Sequence, residues 1–456
     1  MSALTEELEG IDLGDVRNNR RARLVLGALG EKPTLSIPSA CGGWDETRGA
    51  YRLFDHPNVT AKKVLQPHIA CTERRAREHP RVLCIQDTSE LDYTGKTDIE
   101  GLGPLNYEAR RGLYLHPTLA LTPDRICLGV LDVWTWVRAP GSLGKDSGTR
   151  PIEEKESIRW LEGFARVNEL AERTPETDFV YIADREADIY ELFVEAPCPE
   201  SGADWLIRGQ HHDRLLSDGT KLRGKLDKAP VLTEMCFDQP ASAGRAARPV
   251  HQQLKSVRIT LKAPSRPDRT LSEVAVTAIL ATEINPPHGE EPVEWLLLTN
   301  LAVETAEQAI EKLQWYLCRW QIEIYFKILK SGCRIEELQL EKLERLEPAL
   351  AFYMIIAWRV LFLTMLGRDC PEMPCDVVFA EPEWQAVYIV TKREPPPEKP
   401  PSLDQMVRMV AGLGGFLNRK SDGFPGVQTL WIGLQRAADF VLALDAQRSA
   451  LAGRYG

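Results

Sequence analysis

The spacing of apolar residues changes several times along this chain, and each change marks a boundary. Between residues 13 and 80, apolar positions recur at helical spacing among many arginines. LGDVRNNRRARLVLGALGEKP reads as a cationic turn leading into an amphipathic helix, and IPSACGGWDETRGAYRLFDHPNVTAKKVLQPH as short helices and turns. At Arg81 the pattern shortens. Residues 82–85 form an apolar strand ending in Gln86-Asp87-Thr88. After the Gly-rich loop GLGPLNYEARRG, LYLHPTLALTP (113–123) and CLGVLDVWTWVR (127–138) read as two more strands around a turn at Pro123-Asp124. The polar run GSLGKDSGTRP follows. Residues 156–173 return to a helical period, carried by Ile158, Leu161, Phe164, Val167 and Leu170. Residues 179–183 are a buried strand, with Asp184 just past its end and a helix beyond. A helix between strands predicts a parallel crossover, and in such sheets ligands gather at the carboxyl ends of the strands.

Residues 205–301 alternate differently. WLIRGQ, VRITLK, VAVTAILA and VEWLLLTN read as strands separated by the turn-rich runs PASAGRAARP, KAPSRPDR and NPPHGEEP, which predicts a β-rich insertion. Residues 305–332, TAEQAIEKLQWYLCRWQIEIYFKILKSG, then read as one long helix. Thr305 with Gln308 makes a capping box, and Gly332 stands where a left-handed C-terminal cap would end it. The helix is apolar over most of its circumference, hence buried, except for one polar stripe: Lys312, Tyr316, Arg319, Glu323, Lys327 and Lys330. That stripe suits a solvated face with ion pairs four residues apart, and equally a metal-binding Glu flanked by cations for phosphates. A mainly helical stretch continues to about residue 370. REPPPEKPPS (393–402) is a stiff, extended spacer, and Ser402 with Gln405 starts another helix. The apolar faces beyond it (Met406, Val407, Val410, Leu413, then Leu430, Leu434, Phe440, Val441, Leu444) must dock on the chain's own core or on a second copy.

Composition narrows the class without naming a function. The chain has 456 residues, 43% hydrophobic and 27% charged, an ordinary globular balance with room for more than one domain. Its ten cysteines form no CxxC pair, which suggests reduced thiols in a cytoplasmic protein and excludes a disulfide framework or zinc site. The acidic start MSALTEELEGIDLGD lacks the apolar segment of a signal peptide. The most apolar run, residues 349–366, is broken by Arg359 and reads as a buried helix, so no membrane partner is expected. Formal net charge is −10, yet between Arg17 and Arg81 thirteen basic residues outnumber six acidic ones. A basic segment in an acidic chain is a candidate nucleic-acid surface.

The chemistry rests on three carboxylates. Asp87 and Asp184 stand at strand ends and Glu323 lies on the helix stripe. Within DREAD, Asp184 is the choice; Asp188 lies a turn later, and Glu186 reads as a surface residue. Three carboxylates suit two divalent cations of the Mg²⁺ kind, which keep waters and take further ligands from phosphate.

Tyr316, Arg319, Glu323 and Lys330, spaced by two, three and six intervening residues, resemble the Y-R-E-K signature of bacterial insertion-sequence transposases of the Tn5-like, cut-and-paste DDE type. IQDTSELDYTG and YIADREADIYE resemble the family segments carrying its first and second catalytic aspartates. LGDVR with AYRLFDHPNV resembles its N-terminal DNA-binding domain, and LGGFLNRKSDGFPGVQTLW with GLQRAADF its C-terminal module. The resemblance implies an α/β, ribonuclease H-like catalytic core (a mixed sheet with flanking helices) carrying a β-rich insertion, between helical terminal domains. The divisions are 1–80 for DNA binding, 81–370 for catalysis with the insertion at about 200–300, and 371–456 for dimerisation. It implies catalytic and metal-ligating roles for Asp87, Asp184 and Glu323, with two Mg²⁺ per site and Mn²⁺ as a substitute. Phosphate contacts fall to Tyr316, Arg319 and Lys330, with Lys327 on the same stripe. Trp295 corresponds to a tryptophan that packs against a flipped thymine, although a Trp inside an apolar strand is ordinarily core. Arg52 matches a DNA-contacting arginine; the turn carrying Arg17, Arg20, Arg21 and Arg23 is two residues longer than in relatives, leaving open which of them touch DNA.

The activity implied is hydrolytic nicking at inverted-repeat ends, attack of the freed 3′-OH through a hairpin intermediate, and joining to target DNA by a homodimer in the synaptic complex. Each active site would cut the end held chiefly by the other protomer, in a bacterial cytoplasm, with the tail masking the N-terminal domain of a monomer beforehand. Two alternatives stay open: a related metal-dependent nuclease without strand transfer, and a non-catalytic relative that binds ends and inhibits.

Overall fold

The computed structural model describes residues 3–96, 99–141, 150–195, 202–239, 247–266 and 269–452. Residues 142–149 of the polar run after Pro140, 240–246 of PASAGRAARP, 267–268 of KAPSRPDR, and Cys198 lie outside them. After a 3-10 turn at Ala3–Leu8, four helices open the chain: α1 (Val16–Glu31), α2 (Ile37–Cys41), α3 (Trp44–Phe54) and α4 (Ala61–Ala76). Asp15 caps α1 by accepting from the Arg17 amide at 2.8 Å, and Thr60 caps α4 by accepting from Lys63 at 3.3 Å. The opening turn is tied to the core by a buried network. Glu7 accepts from His68 Nδ1 at 2.5 Å and from Arg75 at 2.8 Å, while His68 Nε2 accepts the Val130 amide at 3.1 Å. Burial works to raise the Glu7 carboxyl, but His68 and Arg75 outweigh it and hold it down to about 2.

The sheet strands are β1 (Arg81–Gln86), β2 (Ser89–Asp92), β3 (Gly103–Pro104), β4 (Arg111–Leu121) and β5 (Cys127–Trp136). Helix α5 (Ile158–Arg173) leads to β6 (Asp178–Ala183), then α6 (Tyr190–Glu195), β7 (Asp204–Arg208) and α7 (Leu222–Lys228). Strands β8 (Val231–Gln239), β9 (Arg248–Leu261), β10 (Val274–Glu283) and β11 (Glu294–Thr299) follow. All belong to one sheet, ordered β2-β4-β1-β6-β7-β11-β10-β9-β8, with β3 and β5 also on β4. Strands β1, β6 and β7 are mutually parallel and the rest pair antiparallel. The run β5-β4-β1-β6-β7 is a ribonuclease H-like core. The β-rich insertion is no separate body: β11 pairs along the free edge of β7, and β8–β10 extend the same sheet outward.

Alternate strand residues feed two cores. Leu83, Ile85, Val180 and Ile182 pack on one face; Val82, Cys84, Phe179 and Tyr181 pack on the other with α5. The first face is covered by α8 (Ala306–Cys318), α9 (Trp320–Lys327) and α10 (Leu343–Asp369). Helix α10 is long and apolar enough to cross a membrane, but 89% of its most apolar window is buried inside the protein, as a core helix requires. Helices α11 (Glu381–Lys392), α12 (Leu403–Leu413) and α13 (Val427–Ala452) close the chain.

Two expectations need correction. Residues 305–332 are not one uninterrupted helix. The capping box at Thr305 is present, but an i→i−3 bond from the Arg319 amide to Tyr316 (3.0 Å) tightens the turn between α8 and α9. A π turn at Ile328–Gly332 then widens it, closed by Cys333 N to Ile328 O at 2.7 Å. The left-handed residue that ends it is Arg334 (φ 54°). Gly332 instead allows a close approach, since a Cβ there would stand 3.0 Å from the Trp431 ring and that ring would have to give by a few tenths of an ångström. The second correction concerns the tail, for which the resemblance favours a second copy over the chain's own core as the docking partner. Leu403, Met406, Val407, Val410 and Leu430 are buried in the chain's own core, and Pro374–Ser402 bridging pins the far end of the proline spacer. Among the described residues of the tail helices, the last turns of α13, with Leu442 and Leu451 exposed, stand away from the core.

Candidate active site

The parallel strands bring the site together by register. Ile85 pairs with Ile182, and Ala183 with Ile207. Continued past the strand ends, that register sets Asp87, Asp184 and Arg208 side by side at three adjacent carboxyl ends. Asp87 is held from behind. The Gln86 side chain is fully buried, donating to Thr118 Oγ1 at 3.0 Å and accepting from the Tyr181 hydroxyl. It occupies the space that a side chain at residue 163 of α5 would fill, so Gly163 is required there. The Asp87 carboxylate accepts from the Thr88 amide at 2.8 Å, and Thr88 Oγ1 meets His116 Nδ1 at 2.8 Å. Asp184 caps a 3-10 turn (Arg185–Ala187) by accepting from Glu186 N at 2.8 Å.

Glu323 reaches this edge from α9. Arg319 joins the two halves, with Nη1 2.6 Å from Asp87 Oδ2 and Nη2 2.5 Å from Glu323 Oε1. Burial pushes the Asp87 carboxyl up to about 7. Arg319 pulls against this, while the charges of Asp184 and Glu323 reinforce it. Asp87 is only 18% exposed, so water offsets little of that repulsion there, while the Glu323 side chain, 55% exposed, stays solvated. Tyr316 is buried beside Arg319, Arg208 and Asp184, and burial raises its hydroxyl. Lys327 is exposed on the same face, and Lys330 Nζ lies 3.9 Å from Glu336 Oε1.

Other expected positions fall elsewhere. Lys312 is buried at the opposite end of the strands, its ammonium 3.8 Å from the Trp315 ring centre and paired with Glu311. Trp295 is 6% exposed, within a cluster of Phe237, Tyr316 and Trp320 at 5.0, 5.7 and 6.2 Å between ring centres. In this structure it packs as a core residue. Asp188 is a structural staple: it accepts from Gln210 N (2.7 Å) and His211 N (3.0 Å) and pairs with Arg214. At the N-terminal domain Arg20, Arg21 and Arg52 are exposed, Arg23 is half-buried, and Arg17 is solvent-facing but paired with Asp15 at 2.9 Å. Arg208 and His116 escape sequence reasoning. Arg208 had one signal, its place at the end of WLIRGQ; His116 enters the site only through the β1–β4 register, Gln86 opposite Thr118.

All candidate ligands are carboxylate oxygens, the donors preferred by Mg²⁺-like ions. Among the described residues no three acidic, His or Cys side chains already converge as a metal cage; Arg319 stands between Asp87 and Glu323. The fit to a divalent cation is therefore one of donor chemistry and unbalanced charge.

Three family models match in order along the chain: a transposase DNA-binding model at residues 1–59, a transposase DDE domain at 162–359, and the Tn5 transposase dimerisation domain at 355–452. The DDE match includes Asp184 and Glu323 and begins after Asp87, which stands on geometry alone. A DDE domain implies dependence on a divalent metal. A cryo-EM structure of a piggyBac transposase synaptic complex with hairpin DNA is similar at 9% identity and a TM-score of 0.36. The match covers 77% of this chain and 66% of that one, too distant for a comparison of parts. The ordered succession of binding, DDE and dimerisation modules places this chain in one family: it belongs to the Tn5-like DDE transposases of insertion sequences.

Proposed function

We propose that the protein is a DNA transposase that binds the inverted-repeat ends of its element, cuts both strands and joins the 3′-OH ends to target DNA. The observation that carries this is Arg319 bonded to both Asp87 and Glu323, beside the strand end where the β1–β6 register sets Asp184. Asp87, Asp184 and Glu323 would hold two Mg²⁺ ions, with Mn²⁺ as a substitute. When bound, such ions lower the barrier to in-line attack on a phosphodiester and stabilise the leaving oxygen. With those carboxylates committed to cations, Arg319, now bonded to Asp87 and Glu323, would be free to hold a phosphate. Tyr316, Lys327 and Lys330 on the same stripe and Arg208 on the neighbouring strand end extend that phosphate track. The exposed arginines Arg20, Arg21 and Arg52 would hold the end duplex through its backbone. Pairing of two ends by a homodimer fits the dimerisation module, and a hairpin intermediate fits strand transfer without a protein nucleophile.

The test is a gel assay with a duplex carrying the inverted repeat that flanks the gene, in Mg²⁺. Nicks, hairpins and joined products are expected from the wild type. Asp87→Ala, Asp184→Ala and Glu323→Ala should each lose cleavage by at least about 1000-fold while still shifting the duplex. Nicks without joining would mark a nuclease; binding without cleavage would mark an inhibitor.

A further inference from the structure

A cleft of about 530 Å³ opens along the outer edge of β5, and neither Asp87, Asp184 nor Glu323 lines it. Among the described strands β5 pairs with β4 alone, so this edge of the sheet is free. A free edge invites another strand, but this one is guarded. Asp132 turns its Oδ1 onto the Val133 amide at 2.9 Å, and the register with β4 shifts between Thr118 and Leu119. An edge amide already bonded and a bulge in the ladder both oppose strand pairing. The cleft is shaped for something smaller than a strand.

Its walls are aliphatic: Leu65 and Ile69 of α4, Val133 of β5, Val167 and Leu170 of α5, and Met354 of α10. Two polar atoms break this lining. Asp132 Oδ2 and Trp134 Nε1 are buried without a hydrogen-bond partner among the described residues. They belong to alternate residues of β5, which share one face of the strand. Burial raises the Asp132 carboxyl; Arg166 and Lys62 act on it from a distance, and neither bonds Oδ2. Both of these cations are exposed to solvent. Arg173, also at the cleft, is paired with Glu73 at 3.6 Å. The charge enclosed by the apolar walls is therefore negative, and it stands without a counter-ion among the described residues. A buried acceptor left unmade is costly, and a positively charged donor satisfies it best. The indole N–H two residues on can only donate, so it calls for an acceptor.

We propose that this cleft binds a small aliphatic amine bearing an acceptor oxygen, with its ammonium on Asp132, its chain along the aliphatic walls and its oxygen on Trp134. The terminal torsion of a carboxylate side chain is soft, so Oδ2 can turn to meet the ammonium. A neutral ligand would leave the charge uncompensated, and an anion would be repelled by it. Helix α4 packs on one face of the sheet and α5 on the other, so an occupant touching both clamps them to the edge of β5. The site stands independently of the reaction at the strand ends.

The test uses the full chain without DNA, titrated calorimetrically with 6-aminohexan-1-ol, hexan-1-ol and hexanoate. The amino alcohol should bind one to one with a Kd of about 0.1–1 mM, in proportion to its size. Hexanol, which lacks the ammonium, should bind at least about tenfold more weakly, and hexanoate not at all. Asp132→Asn keeps an oxygen for the Val133 amide and should weaken the amino alcohol by at least about tenfold while leaving hexanol unchanged. Trp134→Phe should weaken it about threefold, the loss of one neutral hydrogen bond. If either variant melts early, Gln66→Trp, which fills the cleft from an exposed position on α4, should block binding without touching a buried group. Amino alcohol bound no more tightly than hexanol, or an affinity that survives Asp132→Asn or Gln66→Trp, overturns the site. So does a wild-type chain that binds none of the probes, in which case water alone completes the two buried atoms.

Discussion

At the scale of single residues, the two aspartates of DREAD separate cleanly. Asp184 caps one short turn, worth about 1 kcal/mol, and its carboxylate otherwise faces the catalytic edge. Asp188 is buried, paired with Arg214, and receives two backbone amides. Asp188→Ala should therefore cost about 3–5 kcal/mol of unfolding free energy, whereas Asp184→Ala should leave urea unfolding nearly unchanged and remove cleavage. Equal destabilisation by the two would reverse the assignment. Asp87 allows a pH test. Its folded carboxyl is raised to about 7, above the ordinary value near 4. Ionisation is thus penalised in the folded chain, so wild-type stability without metal should fall as pH rises from about 4 through about 7. Asp87→Asn carries no such penalty. Its melting temperature in EDTA, measured against wild type, should gain ground between pH 5 and pH 8 and level off above. A constant difference would mean that Arg319 fully compensates the charge. The strand-end placement of Asp87 and Asp184 was legible because strand ends are visible in the apolar pattern; the placement of Arg208 and His116 beside them was not, because only register brings them there.

At the scale of elements, legibility followed burial. Strands β1, β6 and β11 are continuous apolar runs buried on both faces, and α5 and α10 announce themselves by period or length. Strand β8, VLTEMCFDQ, is half-exposed at the sheet edge, with Glu234 and Asp238 on its open side, and gives no periodic signal of comparable strength. The break at Arg319 is invisible for a different cause, since its i→i−3 bond changes no side-chain preference. The tail shows where element-level reasoning had two answers. Apolar faces on α12 and α13 require a partner, and they find it first in each other and α11, then in α10 and, for α13, α1. Removing everything after Pro401 would strip Leu403, Met406, Val407, Val410, Leu430 and Trp431 from buried positions. At about 2–5 kcal/mol for each large buried side chain, that exceeds the whole stability of an ordinary domain. Such a truncation should yield no cooperative thermal transition and should bind a hydrophobic dye. A sharp melt close to wild type would show that the C-terminal helices fold apart from the core.

At the scale of the whole molecule, an acidic chain presents a basic end to DNA, and a second surface remains to be accounted for. The surplus of seven positive charges between Arg17 and Arg81 sits within a total of −10, so the acidic remainder repels DNA while the basic helices hold it; affinity for the end duplex should fall steeply with salt. The other surface is the far end of α13. Its inner part is anchored: Trp431 lies on Gly332, Gln435 meets Thr34, and Asp439 lies 4.0 Å from Lys32 at the end of α1. Beyond Phe440 the helix runs into solvent with Leu442 and Leu451 exposed, within the span matched by the dimerisation model. A helix that leaves its own core with apolar residues still on it is suited to meet its counterpart on a second copy. A chain ending at Phe440 keeps every buried contact just named and loses only this projection. Its melting temperature should stay within about 2 °C of wild type, because exposed residues contribute little, and it should bind one end duplex with unchanged affinity. Sedimentation with end DNA should then show one-end complexes and a loss of two-end complexes of at least about tenfold, equivalent to about 1.4 kcal/mol of pairing energy. Cleavage that depends on pairing should fall with them, while nicking of a single bound end would report the intact catalytic edge. Two-end complexes formed at wild-type concentrations by the shortened chain would place the dimer contact elsewhere, on a face that α13 does not reach.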